Sequence, residues 1–185
     1  MKEHCGITAI VFDKDNTLTA PYSLRTHPNA VAGLAAALSV FGPDRVAILS
    51  NSAGTTKDDP GYKEAIKIEQ DMGIKVIRHD EKKPGGLGEV LAHFSLEEPQ
   101  QICMVGDRLL TDIVFGNLYG MLTVHCLPLC KGADNFQDNT VSKYIRSIEN
   151  TMLYSKWFGA RFLLAKRLPH KYWESDQVSL TILKQ

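Results

Sequence analysis

Short apolar runs alternate with longer segments of helical periodicity along the first 127 residues. Each run is bounded by polar or glycine-containing turns, which predicts strands at 7–10, 46–49, 74–77, 102–105 and 121–127. Apolar residues at helical spacing predict helices between them, at 29–40, 62–72, 86–94 and 111–119. Strands that alternate with helices indicate an α/β protein whose parallel sheet carries helices on both faces.

The length and composition of the chain fit one globular α/β domain. Its 185 residues can bury a substantial core, and 44% hydrophobic with 23% charged residues is an ordinary balance. We expect a core domain over residues 1–140 and a C-terminal helical tail over 141–185. Twenty-one basic and 21 acidic residues leave no net charge, so the charge balance gives no support for nucleic-acid binding.

The four cysteines are Cys5, Cys103, Cys126 and Cys130. They show no disulfide framework, and Cys103 falls in a predicted core strand, which favours a reducing compartment. His125, Cys126 and Cys130 lack a second ligand pair at zinc spacing. We therefore interpret these three as ordinary residues near the end of the fifth strand.

Polar groups follow four of the five predicted strands. Asp13 and Asp15 follow the first, a Ser-Asn-Ser-Ala-Gly turn at 50–54 the second, Lys-Lys-Pro at 82–84 the third, and an acidic turn at 106–112 the fourth. We expect these groups to meet, because function gathers at the carboxyl ends of parallel strands. In an extended backbone, side chains at i and i+2 point the same way, so Asp13 and Asp15 are predicted to face one spot. Two close carboxylates repel each other unless a cation such as Mg²⁺ offsets their charge.

In this order the polar groups resemble the four motifs of the haloacid dehalogenase-like (HAD) phosphatases. The matching residues are Asp13-x-Asp15, Ser50, Lys83 and Gly106-Asp107-x-x-x-x-Asp112. A closer similarity is to the mitochondrial phosphatidylglycerophosphate (PGP) phosphatases, through DKDN at 13–16, SNSAG at 50–54, RHxxKKP at 78–84 and GDRxxTD at 106–112. The resemblance spans residues 7–127 and implies a three-layer Rossmann-like fold with a parallel sheet of about five strands.

The resemblance implies a division of labour between the two first-motif carboxylates. Asp13 is the expected nucleophile, and Asp15 is expected to protonate the leaving oxygen and then activate water. Mg²⁺ is expected between the Asp13 carboxylate, the Asp15 main-chain carbonyl and Asp107, because this ion demands an octahedron of oxygen ligands. Asp112 is expected to orient a water molecule bound to the metal.

The resemblance also implies a phosphate-binding set. Ser50, Asn51 and Lys83 are expected to bind the phosphoryl oxygens, with Lys83 screening the nucleophile from the incoming anion. Of the two adjacent lysines we select Lys83, next to the proline, and interpret Lys82 as a solvated neighbour. His79 is interpreted as a loop residue, and a supporting role behind the site stays open.

The spacings leave no room for a separate cap domain. Residues 19–46 can hold one loop and one helix, and residues 50–83 one helix and one strand, so we expect an open site. An open site favours a phosphate displayed on something large, such as a lipid headgroup. By resemblance, the expected activity is hydrolysis of the terminal phosphate of phosphatidylglycerophosphate to phosphatidylglycerol, a cardiolipin precursor. A phosphoprotein, nucleotide or sugar phosphate substrate, a receiver-like phosphorylation-dependent binding module, and a catalytically silent scaffold stay open as alternatives.

The C-terminal tail is where membrane contact is expected. From Lys156 to Trp173 basic residues are interleaved with aromatic residues, a composition that suits anionic lipid at a membrane interface but also a terminal helix packed on the core. No apolar run reaches the length of about 20 residues that spans a bilayer, and the N-terminus lacks a signal-peptide core or an Arg-rich presequence. By resemblance, we expect a peripheral protein on the matrix side of the mitochondrial inner membrane.

Overall fold

Five parallel strands form the single sheet of the computed structural model, which describes residues 1–130 and 140–154. The strands are β1 Ala9–Phe12, β2 Val46–Ile48, β3 Lys75–Val76, β4 Ile102–Gly106 and β5 Leu122–His125. Their order is β3-β2-β1-β4-β5, and every neighbouring pair is parallel. The predicted α/β class and five-stranded parallel sheet are confirmed. The first strand begins and ends two residues later than the apolar run that predicted it.

The helices cover both faces of this sheet. They are α1 Lys2–Cys5, α2 Pro28–Phe41, α3 Lys63–Met72, α4 Leu87–Phe94, α5 Val114–Leu118 and α6 Thr140–Tyr154. One core cluster joins α2 and α3 to Ile10 and Phe12 of β1, and the other joins α4 and α5 to Ala9 and Val11. Alternate β1 side chains therefore enter opposite cores, as the period of two in a strand requires. The result is the three-layer arrangement that the sequence predicts.

The connection that follows β4 differs from the single helix predicted at 111–119. A π-helical turn, Leu109–Ile113, precedes α5. The Arg108 carbonyl accepts hydrogen bonds from the amides of Asp112 and Ile113, at 3.0 and 3.2 Å. Periodicity alone does not distinguish such a turn from an α-helix, and π-helical turns are frequent at functional sites.

The strand order also locates a crevice at the carboxyl end of the sheet. From β1 the chain builds outward through β2 and β3, then returns to the other side of β1 at β4. Open α/β sheets bind ligands where the strand order reverses in this way. In the described residues, the connection from β1 to β2 holds loops and α2, and that from β2 to β3 holds a loop and α3, with no separate cap domain.

Helix α6 begins at Thr140, beside the expected boundary between core and tail. Its Arg146 and Glu149 are buried, and the helix packs on the π-helical turn after β4. The tail from Lys156 onward, with its expected lipid contact, lies outside the described residues. Among the residues the structure describes, no helix is long and apolar enough to cross a bilayer. No disulfide joins the four cysteines.

Candidate active site

Three buried carboxylates meet at the crevice between β1 and β4. Asp13 directly follows β1, Asp107 directly follows β4, and Asp112 lies in the π-helical turn. One oxygen from each carboxylate lies within 4.8 Å of the other two. Parallel pairing aligns Phe12 with Val105, and the Asp13 amide continues the ladder by donating to the Val105 carbonyl at 2.8 Å. The sheet register thus brings Asp13 and Asp107 to the same edge.

Lys83 lies among these acids. Its Nζ is 2.6 Å from Asp13 Oδ1 and 2.6 Å from Asp112 Oδ1, and it donates to the Leu49 carbonyl at 2.7 Å. The Lys83 side chain is 1% exposed, whereas that of Lys82 is 51% exposed and pairs with Asp58. Of the two adjacent lysines, the structure therefore brings Lys83 and not Lys82 to the carboxylates.

The loop after β2 brings Ser50 and Asn51 beside the lysine. Ser50 is buried, and its hydroxyl lies 3.0 Å from that of Ser52. The Asn51 side-chain oxygen accepts a hydrogen bond from the Lys83 amide at 2.9 Å, which ties the two loops together. His79 supports the same region from behind: its amide donates to the Gly54 carbonyl at 2.9 Å. Burial, and then the charge of Lys83, lower the pKa of the His79 imidazole.

Asp15 takes a different position from the one that the i and i+2 rule predicts. Its carboxylate accepts hydrogen bonds from Lys14 Nζ at 2.5 Å and from the Tyr22 amide at 2.9 Å. It is not one of the three carboxylates that lie within 4.8 Å of one another. The rule assumes an extended backbone, but β1 ends at Phe12 and the chain turns at once, with Asn16 in the left-handed region at φ 61°. The expected roles of Asp15 in proton transfer and, through its carbonyl, in metal binding stay predictions.

The electrostatics of the cluster reflect burial and mutual repulsion. Burial and the neighbouring Asp13 raise the pKa of Asp107 to about 8, against the opposing effect of Arg146. Burial, and then Asp13, also raise the pKa of Asp112, to about 6, although Lys83 acts in the other direction. For Lys83, burial alone would lower the pKa, but Asp112 and Asp13 together raise it. The lysine is therefore an ammonium ion across the whole physiological range.

Arg146 is a site residue that sequence reasoning missed. From α6 its Nε donates to Asp107 Oδ2 at 2.5 Å. Glu149, one turn later, accepts from Arg108 Nε at 3.0 Å and from the Leu110 amide at 3.4 Å. No motif marks either residue, and the sequence assigned them to a separate tail.

The donor set suits a hard divalent cation. Asp107 Oδ1 is buried and has no hydrogen-bond partner among the described residues, while one oxygen each of Asp13 and Asp112 lies nearby. A buried oxygen without a partner is costly unless a ligand satisfies it. Carboxylate oxygens at this spacing are the ligands that Mg²⁺ prefers. No other group of three or more acidic, histidine or cysteine side chains at metal-binding distance occurs in the described part of the chain, including around His125.

A family model described as mitochondrial PGP phosphatase matches residues 1–128. The chain belongs to this family. All of the residues selected from the sequence lie inside the matched range, from Asp13 to Asp112. Arg146 and Glu149 lie outside it.

Proteins with curated phosphatidylglycerophosphatase names also match most of the chain. The chain is 51% identical over 132 residues to phosphatidylglycerophosphate phosphatase 1, chloroplastic, of Chlamydomonas reinhardtii, covering 71% of this chain and 48% of that protein. It is 36% identical over 121 residues to the mitochondrial phosphatidylglycerophosphatase GEP4 of Saccharomyces cerevisiae, covering 63% of this chain and 65% of the yeast protein. An Arabidopsis thaliana relative named chloroplastic/mitochondrial is 43% identical over 153 residues, which are 82% of this chain and 42% of its own length. The chain thus spans about half the length of the first two relatives, from Chlamydomonas and Arabidopsis.

A solved structure supports the fold of this family member independently. The crystal structure of an uncharacterized protein from Listeria monocytogenes serotype 4b superposes with a TM-score of 0.50 at 19% identity. The superposition covers 69% of this chain and 84% of that one. At this level of identity the likeness concerns the fold alone.

Proposed function

We propose that this chain is a Mg²⁺-dependent phosphomonoesterase that removes the terminal phosphate of phosphatidylglycerophosphate and leaves phosphatidylglycerol. The observation that carries the chemistry is the meeting of Asp13 and Lys83 with Asp107 and Asp112 at the crevice of the sheet. Family membership and the phosphatidylglycerophosphatase names of the relatives support the choice of substrate.

The proposed reaction has two displacements at phosphorus. One oxygen of Asp13 is held by Lys83, and the side chain is 12% exposed, so the carboxylate is accessible to substrate. Asp13 attacks the phosphorus, the bond from phosphorus to the glycerol oxygen breaks, and Asp15 protonates the departing alkoxide. Water then attacks the aspartyl phosphate, with the Asp15 carboxylate accepting its proton, and Asp13 and inorganic phosphate are released.

The remaining residues hold the transferred phosphoryl group. Lys83 supplies a buried positive charge, and Ser50 and Asn51 supply polar groups on the adjoining loop. Asp13, Asp107 and the Asp15 carbonyl would hold Mg²⁺, and Asp112 would orient a water bound to it. The ion would supply positive charge against the phosphoryl oxygens. Phosphoryl transfer depends almost entirely on such positioning and charge stabilisation.

A comparison of substrates tests the proposal. Phosphate release with Mg²⁺ is measured from phosphatidylglycerophosphate in mixed micelles, from p-nitrophenyl phosphate, and from a phosphopeptide, a nucleotide and a sugar phosphate, with Asp13→Asn as the blank. We expect repeated turnover with a preference for the lipid, and none in the Asp13→Asn variant. Turnover of soluble esters alone would keep the phosphatase and reject the lipid substrate. A single phosphorylation without turnover would indicate a receiver-like binding module, and no phosphorylation at all would indicate a silent scaffold.

The leaving-group step separates the role of Asp15 from that of Asp13. p-Nitrophenolate departs without protonation, whereas an alkoxide needs a proton. We therefore expect Asp15→Asn to reduce kcat for the lipid strongly. The rate of the first half-reaction with p-nitrophenyl phosphate, measured as the burst of p-nitrophenolate, should fall at least tenfold less. Equal losses would reject Asp15 as the general acid.

We propose that the enzyme meets its substrate at a membrane surface, in the mitochondrion on the matrix side of the inner membrane. Leu110, Val114 and Leu118 are 56%, 36% and 58% exposed and follow one another at intervals of four residues. Leu110 lies in the turn between Asp107 and Asp112, so this apolar strip begins beside the candidate site. A lipid surface docked there would present headgroups near the carboxylates.

Vesicle binding tests this surface. Leu118→Asp is expected to weaken co-sedimentation with vesicles that contain anionic lipid, and Val31→Asp, at a similarly exposed position on α2, is expected to leave it unchanged. Equal binding by both variants would reject the strip and leave the tail from Lys156 as the candidate for anionic-lipid contact. Fractionation of organelles tests the proposed mitochondrial location, because the relatives' names include both chloroplastic and mitochondrial proteins.

A further inference from the structure

Helix α6 contributes a buried arginine to the carboxylate cluster, although it lies outside the residues that the family model matches. Arg146 is 7% exposed and Glu149 is 2% exposed. The first bonds Asp107, and the second bonds Arg108, the next residue along the chain. Two ion pairs thus join α6 to the segment that carries the proposed metal ligands.

We propose that Arg146 is a positioning residue for the divalent cation: it holds Asp107 in the orientation that presents Oδ1 to the metal, so that α6 completes the site. This inference rests on the proposed function, because it concerns the same metal.

The two oxygens of Asp107 have different surroundings. Oδ2 accepts the hydrogen bond from Arg146 Nε, whereas Oδ1 is buried without a hydrogen-bond partner among the described residues. A carboxylate bound through one oxygen cannot turn freely, so Arg146 fixes where the other oxygen points. Groups that orient metal ligands in this way typically contribute about 10–100-fold to metal affinity.

The charge of Arg146 opposes binding of the dication, so its contribution to metal affinity comes from orienting Asp107, and the charge itself acts on the substrate phosphate. Asp13, Asp107 and Asp112 face Lys83 and Arg146, which leaves one net negative charge when all five groups are ionised. A dication would convert this to one net positive charge, the sign that attracts a phosphate dianion. Without Arg146 the loaded site would be neutral.

Glu149 offers a control for a purely structural role of α6. It joins the helix to Arg108 and to the Leu110 amide rather than to Asp107. If α6 mattered only by docking, removing either ion pair would have the same effect on metal binding. If Arg146 orients Asp107, the loss from Arg146→Gln would be much larger.

The test is calorimetric titration of the intact chain with Mg²⁺, which needs no substrate. We expect Arg146→Gln to raise the dissociation constant for Mg²⁺ about 10–100-fold. Glu149→Gln should raise it less than about threefold. Arg45→Gln is the matched control, because it removes an arginine that bonds the Phe94 carbonyl and none of the site residues. It should leave the dissociation constant unchanged. Equal affinities in the Arg146→Gln and unsubstituted chains, or equal losses in the Arg146→Gln and Glu149→Gln chains, would overturn the inference while leaving the proposed function intact. No Mg²⁺ binding by the unsubstituted chain would overturn both.

A second measurement on the unsubstituted chain keeps the inference testable if Arg146→Gln fails to fold. Coupling between metal binding and the packing of α6 on the site is reciprocal. If α6 raises the affinity for the metal, bound metal must stabilise the packed helix by the same factor. We expect hydrogen exchange of the α6 amides to slow by a similar 10–100-fold when Mg²⁺ is added. Identical exchange with and without Mg²⁺ would overturn the proposal.

Discussion

At the scale of single residues, the adjacent lysines Lys82 and Lys83 offer a direct comparison. Lys83 is the buried cation between Asp13 and Asp112, and Lys82 pairs with Asp58 at the surface. We expect Lys83→Ala to lower kcat by about 10²–10³-fold, because it removes a preorganised charge from the phosphoryl site. Lys82→Ala should lower it less than threefold. The measurement is steady-state hydrolysis of p-nitrophenyl phosphate, with circular dichroism as the check on folding; similar losses from the two changes would refute the assignment.

Residue types and their order predicted which side chains gather, but not how each one points. Asp13, Lys83, Asp107 and Asp112 meet because each follows a strand or turn at one edge of a parallel sheet. The orientation of Asp15 depends on the turn after β1, whose backbone the sequence does not specify. Arg146 lies 39 residues beyond Asp107, and only tertiary packing brings them together.

At the scale of elements, the junction between β4 and the π-helical turn depends on one glycine. A Cβ at Gly106 would overlap the Asp112 carboxylate, so the absence of a side chain is what allows the turn to bring that acid inward. We expect Gly106→Ala to displace Asp112, to lower the free energy of unfolding by about 1–3 kcal/mol, and to weaken Mg²⁺ binding.

Gly33 supplies the opposite control. It lies inside α2, and a Cβ there would meet nothing within 4 Å. Because alanine favours a helix over glycine, Gly33→Ala should raise the free energy of unfolding by about 0.5–1 kcal/mol. Urea unfolding of both variants checks the pair, and a loss of stability in both would show that the space around Gly106 is not the cause.

The apolar runs predicted the strands well because each enters a core on both faces of the sheet. Ile48 lies in one core and Ala47 in the other, so β2 reads as a continuous apolar run. The runs did not set the strand ends. Val76 is the last residue of β3, although the buried Ile77 still donates its amide to the Ile48 carbonyl at 2.8 Å, because burial in the core continues beyond the end of the strand.

At the scale of the whole molecule, the site combines four separate segments and therefore exists only in the folded chain. The four follow β1, β2, β3 and β4, and α6 closes on the last of them. The strand alternation predicted this convergence, since parallel strands share one carboxyl edge. It gave no sign that the expected C-terminal helix packs on the site as α6 does, through a contact that includes two ion pairs.

Gathering three acids in one buried place has a cost that should appear in the pH dependence of stability. The pKa of Asp107 is raised to about 8 in the folded chain, and its ordinary value is near 4. Between these values the folded state holds a proton that the unfolded state has released. The free energy of unfolding must therefore fall as pH rises toward 8.

The histidines titrate at the lower end of this pH range, so they limit where the effect of Asp107 on stability can be measured. Burial lowers the pKa of His79, His93 and His125, and histidine in the unfolded chain titrates near pH 6.5, so below about pH 7.5 the unfolded chain binds more protons at these residues and stability falls as pH falls. Asp112, with a pKa of about 6, has largely lost its proton above that pH. From pH 6.5 to 8 Asp107 makes the largest contribution, which the histidines oppose at the lower end. Burial raises the pKa of the Cys103 and Cys126 thiols, so these add a smaller loss of stability near pH 8.

We expect the metal-free chain to lose about 1–2 kcal/mol of unfolding free energy from pH 6.5 to 8, measured by urea unfolding in chelator. Asp107→Asn should abolish most of this loss, because the amide does not titrate. Saturating Mg²⁺ should reverse it in the unsubstituted chain, since the cation binds the ionised carboxylates and stabilises the folded state most where they are ionised. A loss that survives Asp107→Asn would assign it to another group, and a loss unaffected by Mg²⁺ would place the cation away from these acids.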